Sequence, residues 1–243
     1  MNQLLATGTY VGEHFHDNGL RFMQVNITNT GKSGGDVPLY VVPNKAAGET
    51  FDAFTPGARL LVGGRMYPSR QDYKMYVIPN QPLQIVPNNL NVNQVNLSGG
   101  VGYIPDQVKE DLFTFSLMCS APAQMILGHT WQDSLGFRVE SWGEDAKRLD
   151  SLLFVGRQMS LCGTLRFNTW KAQDGSQRST YQVRVRSTLY TVFGENKKRK
   201  EAEAAKASSA PMTVAPLPVQ GSVDVPTIGA GVPCSVNTDD IPF

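Results

Sequence analysis

The chain has 243 residues and a mass of 26.6 kDa, which is enough for two domains that each bury their own core. Its 22 basic and 21 acidic residues give a net charge of +1, so the overall charge indicates no polyanionic partner. We expect neither a membrane-spanning helix nor a signal peptide, because no apolar run is long enough and the start lacks a basic region. Three cysteines, an odd number without a Cys-x-x-Cys spacing, favour a reducing compartment and argue against a zinc ribbon or disulfide scaffold. We therefore expect a cytoplasmic protein.

The first 87 residues contain short runs of β-branched and aromatic residues separated by turn signals, which is typical of strands. The clearest runs are Arg21–Ile27, Pro38–Val42 and Arg59–Tyr67. In the first run the apolar residues Met23, Val25 and Ile27 recur at every second position, which predicts a strand with one buried face. The asparagine-rich segment 87–91 then predicts a linker.

A second series of such runs begins at Asn93. Its predicted strands are Asn93–Val101, Leu112–Ser120, Gly136–Ser141, Gln158–Asn168 and Ser179–Val192. Between the third and the fourth, Ala146, Leu149 and Leu153 recur at helical spacing, which predicts a short amphipathic helix. Cys119 and Cys162 fall inside strands and are expected to be small core residues.

Both halves follow the same order of elements. Residues 44–54 of the first half correspond to the predicted helix of the second, and each half continues through a glycine-arginine segment, at 57–59 or 156–157, into a two-strand hairpin. Five strands with a helix between the third and fourth is the layout of an oligonucleotide-binding (OB) barrel. We therefore predict an all-β protein with two OB barrels in tandem, at residues 1–87 and 91–193.

The end of the chain has a different composition. Residues 207–243 contain six prolines, three aspartates, no lysine or arginine, and a single aromatic residue, Phe243. Such a segment buries too little apolar surface to offset the entropy that ordering would cost. Residues 194–243 are therefore predicted to form a disordered C-terminal tail.

Five pieces of the sequence carry a family resemblance through their order and spacing. They are the strand and loop at 93–106, Val139–Gly143 with its aromatic-glycine end, Gly163–Arg166, the hairpin at 170–178 with tryptophan before an Asp-Gly turn, and the terminal segment 239–243. Together they resemble the bacterial single-stranded DNA-binding proteins (SSB). The first half is more loosely similar, chiefly at 54–59 and 64–67, and the layout resembles the members of that family with two OB domains.

The resemblance implies sequence-independent binding of single-stranded DNA in replication, recombination and repair, without catalysis or a cofactor. It implies four OB folds in the working unit, hence a homodimer, with a tetramer built through the second domain as the alternative. The acidic tip would recruit enzymes of those processes; its residues are Asp239, Asp240, Ile241, Pro242 and Phe243. The family usually has an aromatic residue where this chain has Gly136, and often a tyrosine where it has Ser179. These two stacking platforms are therefore either missing here or supplied by Trp131, Phe137 or Tyr181.

Binding to any single strand takes aromatic faces for the bases and positive charge for the phosphates. Residues 158–193 contain five basic side chains and one acid. Arg184 and Arg186 share a strand face, and Arg178 is expected across a hairpin from Trp170. The predicted DNA-binding residues of the second half are Trp131, Trp142, Arg166, Phe167, Trp170, Lys171, Arg178, Arg184 and Arg186. A shorter hairpin of the first half adds Tyr67, Arg70, Tyr73 and Lys74, unless these are ordinary structural residues.

No sequence motif supports an enzyme, since neither a nucleophile elbow nor a Walker loop is present. His14 and His16 share a strand face, but no third ligand is evident, so we expect no metal site. Two other functions stay open at this point. One is an RNA-binding, cold-shock-like OB protein, and the other is an interaction scaffold in which only one barrel can bind nucleic acid.

Overall fold

The computed structural model describes residues 1–15, 21–28, 35–42, 53–69, 72–106, 111–122, 124–126, 129–131, 134–172 and 175–193, with backbone alone at 124–126, 129–131 and 187–188. All of them belong to one compact unit, residues 1–199. Most of the segment predicted as a helix at 44–54 lies outside the described residues, as does the whole predicted tail with its tip. No helix in the described part of the chain is both long enough and apolar enough to cross a membrane.

Strands dominate the described residues, and the elements are named here in chain order. They are β1 (Asn2–Phe15), β2 (Arg21–Ile27), β3 (Val37–Val41), β4 (Arg59–Pro68), β5 (Met75–Pro79), β6 (Gln84–Ile85), β7 (Asn93–Tyr103), β8 (Leu112–Ser120), β9 (Gln124–Ile126), β10 (His129–Trp131), β11 (Ser134–Trp142), α1 (Glu144–Leu152), β12 (Gln158–Lys171) and β13 (Gln177–Val192).

Each half of the chain closes into a five-stranded barrel. The first barrel runs β1-β2-β3-β5-β4 and back to β1, and the second runs β7-β8-β11-β13-β12 and back to β7. In each barrel the third and fifth strands are parallel and the other pairs are antiparallel. This is the strand order of the OB barrel, so the prediction of an all-β protein with two OB barrels in tandem is confirmed.

The two barrels repeat each other in detail. Before its fourth strand each has a glycine with positive φ, Gly57 at +92° and Gly156 at +91°, a conformation that other residues rarely adopt. The Gly57 amide donates to the Tyr10 carbonyl at 2.8 Å, and the Gly156 amide donates to the Val101 carbonyl at 2.7 Å. A β-bulge follows Tyr10 in β1 and Val101 in β7. The glycine-arginine segments noted in the sequence are therefore the same turn, used twice.

Strand β1 joins the barrels into one continuous sheet. It pairs antiparallel with β7, from Asn2 opposite Leu97 to Ala6 opposite Asn93. The carboxamide of Asn2 also accepts from the Met66 amide at 3.0 Å and donates to the Met66 carbonyl at 3.2 Å, which explains how this polar residue is buried at the start of the chain. The sequence placed His14 on a strand but gave that strand no bounds.

The core follows the predicted pattern closely in the second barrel. Helix α1 begins at Glu144 and ends at Leu152, and its buried residues are Ala146 and Leu149. Strand β8 has the predicted bounds, whereas β12 extends to Lys171 because the hairpin to β13 is longer than expected. Cys119 lies in the core, as predicted, and burial raises the pKa of its thiol to about 11. The thiol therefore stays protonated at neutral pH, which fits a packing role.

Candidate nucleic-acid interface

Strands β11, β13 and β12 lie side by side in the second barrel and present one outward face. Val139 of β11 pairs with Val183 of β13, which pairs with Leu165 of β12, and all three side chains point into the core. Because side chains alternate along a strand, the neighbouring positions point outward. The outward residues include Trp142, Trp170, Arg138, Arg166, Arg178, Arg184 and Arg186, and we call this surface the arginine–tryptophan face.

Trp142 ends β11 at one side of this face. Its side chain is 42% exposed, and the Arg184 guanidinium lies 5.3 Å from the ring centroid. A cavity of about 300 Å³ lies beside the indole and is also lined by Glu144 and Asp145 of α1. The indole therefore has an open face with a cation beside it, an arrangement that suits stacking of a nucleobase.

Trp170 lies at the opposite side, near the tip of the hairpin. It is 43% exposed and pairs directly across the hairpin with Arg178, as predicted. Lys171 follows at the end of β12 and is exposed. The hairpin thus carries one exposed aromatic ring and two cations.

A network around one carboxylate holds the centre of the face. Glu140 is only 4% exposed, and Arg184 Nε donates to its Oε1 at 2.8 Å. The side-chain amide of Gln182 is oriented with its nitrogen towards Glu140. In this orientation the nitrogen donates to Glu140 Oε2 at 3.1 Å, and the amide oxygen accepts from Arg138 Nε at 3.0 Å. These bonds restrict the rotamers of Arg138 and Arg184, so the two guanidiniums are already positioned before any ligand binds.

Arg138 was not predicted to be a binding residue, although its spacing in the sequence indicates that it lies on this face. It stands four residues before Trp142 and two before Glu140, so a period of two places all three on the same face of β11. The basic residues predicted from the sequence lie in 158–193 and in the hairpin of the first half, neither of which includes β11. With Arg138, the arginine–tryptophan face carries five arginines around the buried carboxylate of Glu140, and Glu144 and Asp145 lie at its Trp142 end.

Several predicted aromatic residues are not available on this face. Tyr67 is fully buried, and its hydroxyl donates to the Pro122 carbonyl at 3.1 Å, so the expectation that it stacks on a base is wrong. Phe167 lies on the inward side of β12 and packs on Tyr181, with ring centroids 4.7 Å apart. Tyr181 also donates to the Pro38 carbonyl at 2.7 Å, and Phe137 is buried. Neither Phe137 nor Tyr181 therefore replaces the platforms missing at Gly136 and Ser179.

Gly136 itself lies beside the side chain of Met118. It pairs with Met118 of β8, and a Cβ atom at Gly136 would lie 3.3 Å from Met118 Sδ. A larger side chain at this position would have to displace the methionine. The backbone of Trp131 belongs to the two-stranded sheet of β9 and β10, but its side chain lies outside the described residues.

The first barrel offers less to a ligand than predicted. Tyr73 is 68% exposed, but Arg70 lies outside the described residues. Lys74 is engaged within the protein, since its Nζ lies 2.8 Å from His14 Nε2 and 3.5 Å from Asp72 Oδ2. His16 and the tip residues Asp239 to Phe243 lie outside the described residues as well.

No family model matches the chain, and no curated protein matches it in sequence. Solved structures do. A deletion mutant of the single-stranded DNA-binding protein from Thermus aquaticus superposes with a TM-score of 0.55 at 16% identity, covering 80% of this chain and 95% of that chain. The wild-type Thermus aquaticus protein gives a TM-score of 0.52 at 16% identity, covering 80% and 94%.

A shorter match is the Plasmodium falciparum SSB in complex with single-stranded DNA, at 19% identity and a TM-score of 0.35, covering 44% of this chain and 97% of that one. Of these three structures, the two of the Thermus aquaticus protein span most of this chain. At such low identity this likeness shows the fold, and the chain shares its OB architecture over four fifths of its length.

Proposed function

We propose that this chain is a member of the SSB family and binds single-stranded DNA without sequence preference. The observation that carries the proposal is the arginine–tryptophan face, in which two exposed indoles flank five arginines on one side of an OB barrel. Each base stacked on an aromatic ring contributes about 1–3 kcal/mol for any base, and arginines neutralise the phosphates. Binding of this kind needs no catalytic group and no cofactor.

The second barrel is the main binding element in this proposal. In the first barrel Tyr67 and Tyr76 are buried and Lys74 is held by Asp72, which leaves Tyr73 as the exposed aromatic of that hairpin among the described residues. Among the alternatives left open by the sequence, the buried tyrosines and the engaged lysine of the first barrel favour a protein in which one barrel binds strongly. The first barrel then stabilises the second through the continuous sheet.

A competition experiment tests the proposed ligand. Labelled poly(dT) is bound to the protein and followed by fluorescence anisotropy, with unlabelled poly(dT), the matched RNA and duplex DNA as competitors. We expect poly(dT) to compete best and the duplex least, because paired bases cannot reach an indole face. Stronger competition by the RNA would instead support an RNA-binding OB protein, and no binding of any of these would overturn the proposal.

The further parts of the proposal rest on the resemblance of the sequence. They are a role in replication, recombination and repair in the cytoplasm at the nucleoid, a homodimer with four OB folds, and recruitment of partner enzymes by residues 239–243. The chemistry of the tip supports the last of these. Phe243 can fill an apolar pocket while its carboxylate and Asp239 and Asp240 meet a basic rim.

Removing the last residue tests the recruitment. Deletion of Phe243 is expected to abolish capture of partner enzymes from a bacterial lysate, because the aromatic anchor and the position of the terminal carboxylate are both lost. Affinity for poly(dT) should stay equal or rise slightly, since the tip can compete weakly for the basic face. Identical sets of captured proteins with and without Phe243 would contradict this role.

A further inference from the structure

A small basic pocket lies where the two barrels meet. It has a volume of about 80 Å³ and is lined by three arginines, Arg59 of β4, Arg166 of β12 and Arg186 of β13. Its other lining residues are Thr28, Asn91, Val92, Asn93 and Thr164. No acidic residue lines it among the described residues. A space of this size is large enough for water or a small anion.

Neutral groups hold the first of these arginines in place. Arg59 is 7% exposed and donates to the Leu90 carbonyl at 3.2 Å and to the hydroxyls of Thr28 and Thr7, each at 3.3 Å. It also donates to Asn91 Oδ1. None of these acceptors carries a charge, so the positive charge of a buried guanidinium is solvated but not neutralised.

The other two arginines come from the second barrel. Arg166 Nε is buried and has no hydrogen-bond partner among the described residues. Burial lowers the pKa of Arg166 and the charge of Arg184 lowers it further, while Glu140 opposes the effect. Arg186 Nη2 donates to the Asn93 carbonyl at 3.3 Å, which directs its guanidinium towards the pocket. Three like charges thus converge on one small space.

We infer that this pocket binds a phosphate group. Guanidinium groups match the geometry of phosphate oxygens, and an anion would provide both the missing countercharge and a partner for Arg166 Nε. Two sources share this chemistry, the phosphodiester of a bound strand and free inorganic phosphate. The first source rests on the proposed function, because Arg166 and Arg186 also belong to the arginine–tryptophan face. A phosphodiester bound in the pocket would direct the strand from that face to the junction of the barrels.

The first arm of the test uses inorganic phosphate alone. Thermal unfolding is measured in phosphate and in chloride at equal ionic strength, for the wild type, Arg166→Gln, Arg186→Gln and Lys147→Gln. Phosphate raises the unfolding temperature of any protein by exclusion from its surface, so the difference between variants is the readout. Lys147 is an exposed cation of α1 that lies outside both the pocket and the arginine–tryptophan face. We expect the wild type and Lys147→Gln to gain more than the two pocket variants.

The second arm uses poly(dT), again at constant ionic strength. If the pocket holds a phosphodiester, Arg166→Gln should weaken binding about tenfold, phosphate should compete with poly(dT) in the wild type, and competition should be lost in the variant. Phosphate-specific stabilisation without competition would assign the pocket to free phosphate. Equal stabilisation of all four proteins by phosphate would overturn the inference. Failure of the wild type to bind poly(dT) would overturn the proposed function alone, because the first arm does not depend on DNA.

Discussion

Trp142 and Trp170 are equally exposed, but they differ in what they contact. Trp142 lies beside the guanidinium of Arg184, whereas Trp170 stands near the hairpin tip opposite Arg178. A cation near an exposed indole contributes about 0.5–1 kcal/mol. Trp142 is therefore expected to contribute to both the fold and the proposed binding, whereas Trp170 is expected to contribute to the proposed binding alone.

Alanine at each of these positions separates the two contributions. We expect Trp170→Ala and Trp142→Ala each to lose about 1–3 kcal/mol of affinity for poly(dT), the contribution of one stacked base. The free energy of unfolding should be unchanged for Trp170→Ala and lower by about 0.5–1 kcal/mol for Trp142→Ala. Trp170→Phe is the matched control, since it keeps an aromatic face. Titrations with unchanged affinity in both alanine variants would refute the assignment of these residues.

The residues that sequence reasoning placed correctly are those whose surroundings are local. Arg178 opposite Trp170 and the shared face of Arg184 and Arg186 follow from strand period and hairpin register. Tyr67 could not be placed in this way. Its neighbour Met66 faces the core of the first barrel, and period two would expose Tyr67, but the second barrel covers that side and accepts its hydroxyl at Pro122. A partner distant in the sequence decides its burial.

At the scale of elements, strand bounds were well predicted where apolar residues alternate, as in β2 and β8. The bounds of β1 were not predicted, because Gly8 and Gly12 interrupt its pattern and its ends depend on pairing with β7 and β4. The structure explains why each of these two positions holds a glycine. Gly8 leaves no room for a side chain against β2, and Gly12 follows the β-bulge with φ +154°. The repeat of the β-strand order, by contrast, is visible in the sequence.

The contact between the barrels includes a group of tyrosines that makes stability depend on pH. Burial raises the pKa of Tyr181, and the charges of Tyr40 and Asp72 raise it further, while a backbone hydrogen bond with Met75 opposes the shift. The pKa of Tyr76 is raised as well, first by burial and then by Asp72. A raised tyrosine pKa means that stability is fully present below the unfolded pKa, about 10, and declines as pH rises above it.

Replacing Tyr181 tests this account. At neutral pH, Tyr181→Phe should lose about 0.5–1.5 kcal/mol with the hydrogen bond to Pro38. Between about pH 9 and pH 11 the variant should lose less stability than the wild type, because one ionisable group of the unfolded state is gone. Urea unfolding at several pH values measures both effects. Parallel losses in the two proteins would show that Tyr181 does not carry the pH dependence.

At the scale of the whole molecule, a net charge of +1 conceals a local excess of positive charge. The five arginines of the arginine–tryptophan face, together with Lys171 of the same hairpin, limit the number of phosphates that one chain can neutralise there. The slope of log affinity against log salt should therefore be no steeper than roughly −4.2, since each neutralised phosphate on a single strand contributes about −0.7. Binding should persist at high salt through stacking. Complete loss at moderate salt would mean that charge alone holds the strand.

Intrinsic fluorescence measures most directly whether bases stack on Trp142 and Trp170. The chain has three tryptophans, so Trp131→Phe leaves these two as the emitting residues. Titration of that variant with poly(dT) at high salt, where nonspecific charge effects are screened, should quench the emission to saturation. Adding Trp170→Ala or Trp142→Ala should each remove part of the quenching. Saturating poly(dT) that binds but leaves the emission of the Trp131→Phe protein unchanged would contradict the account.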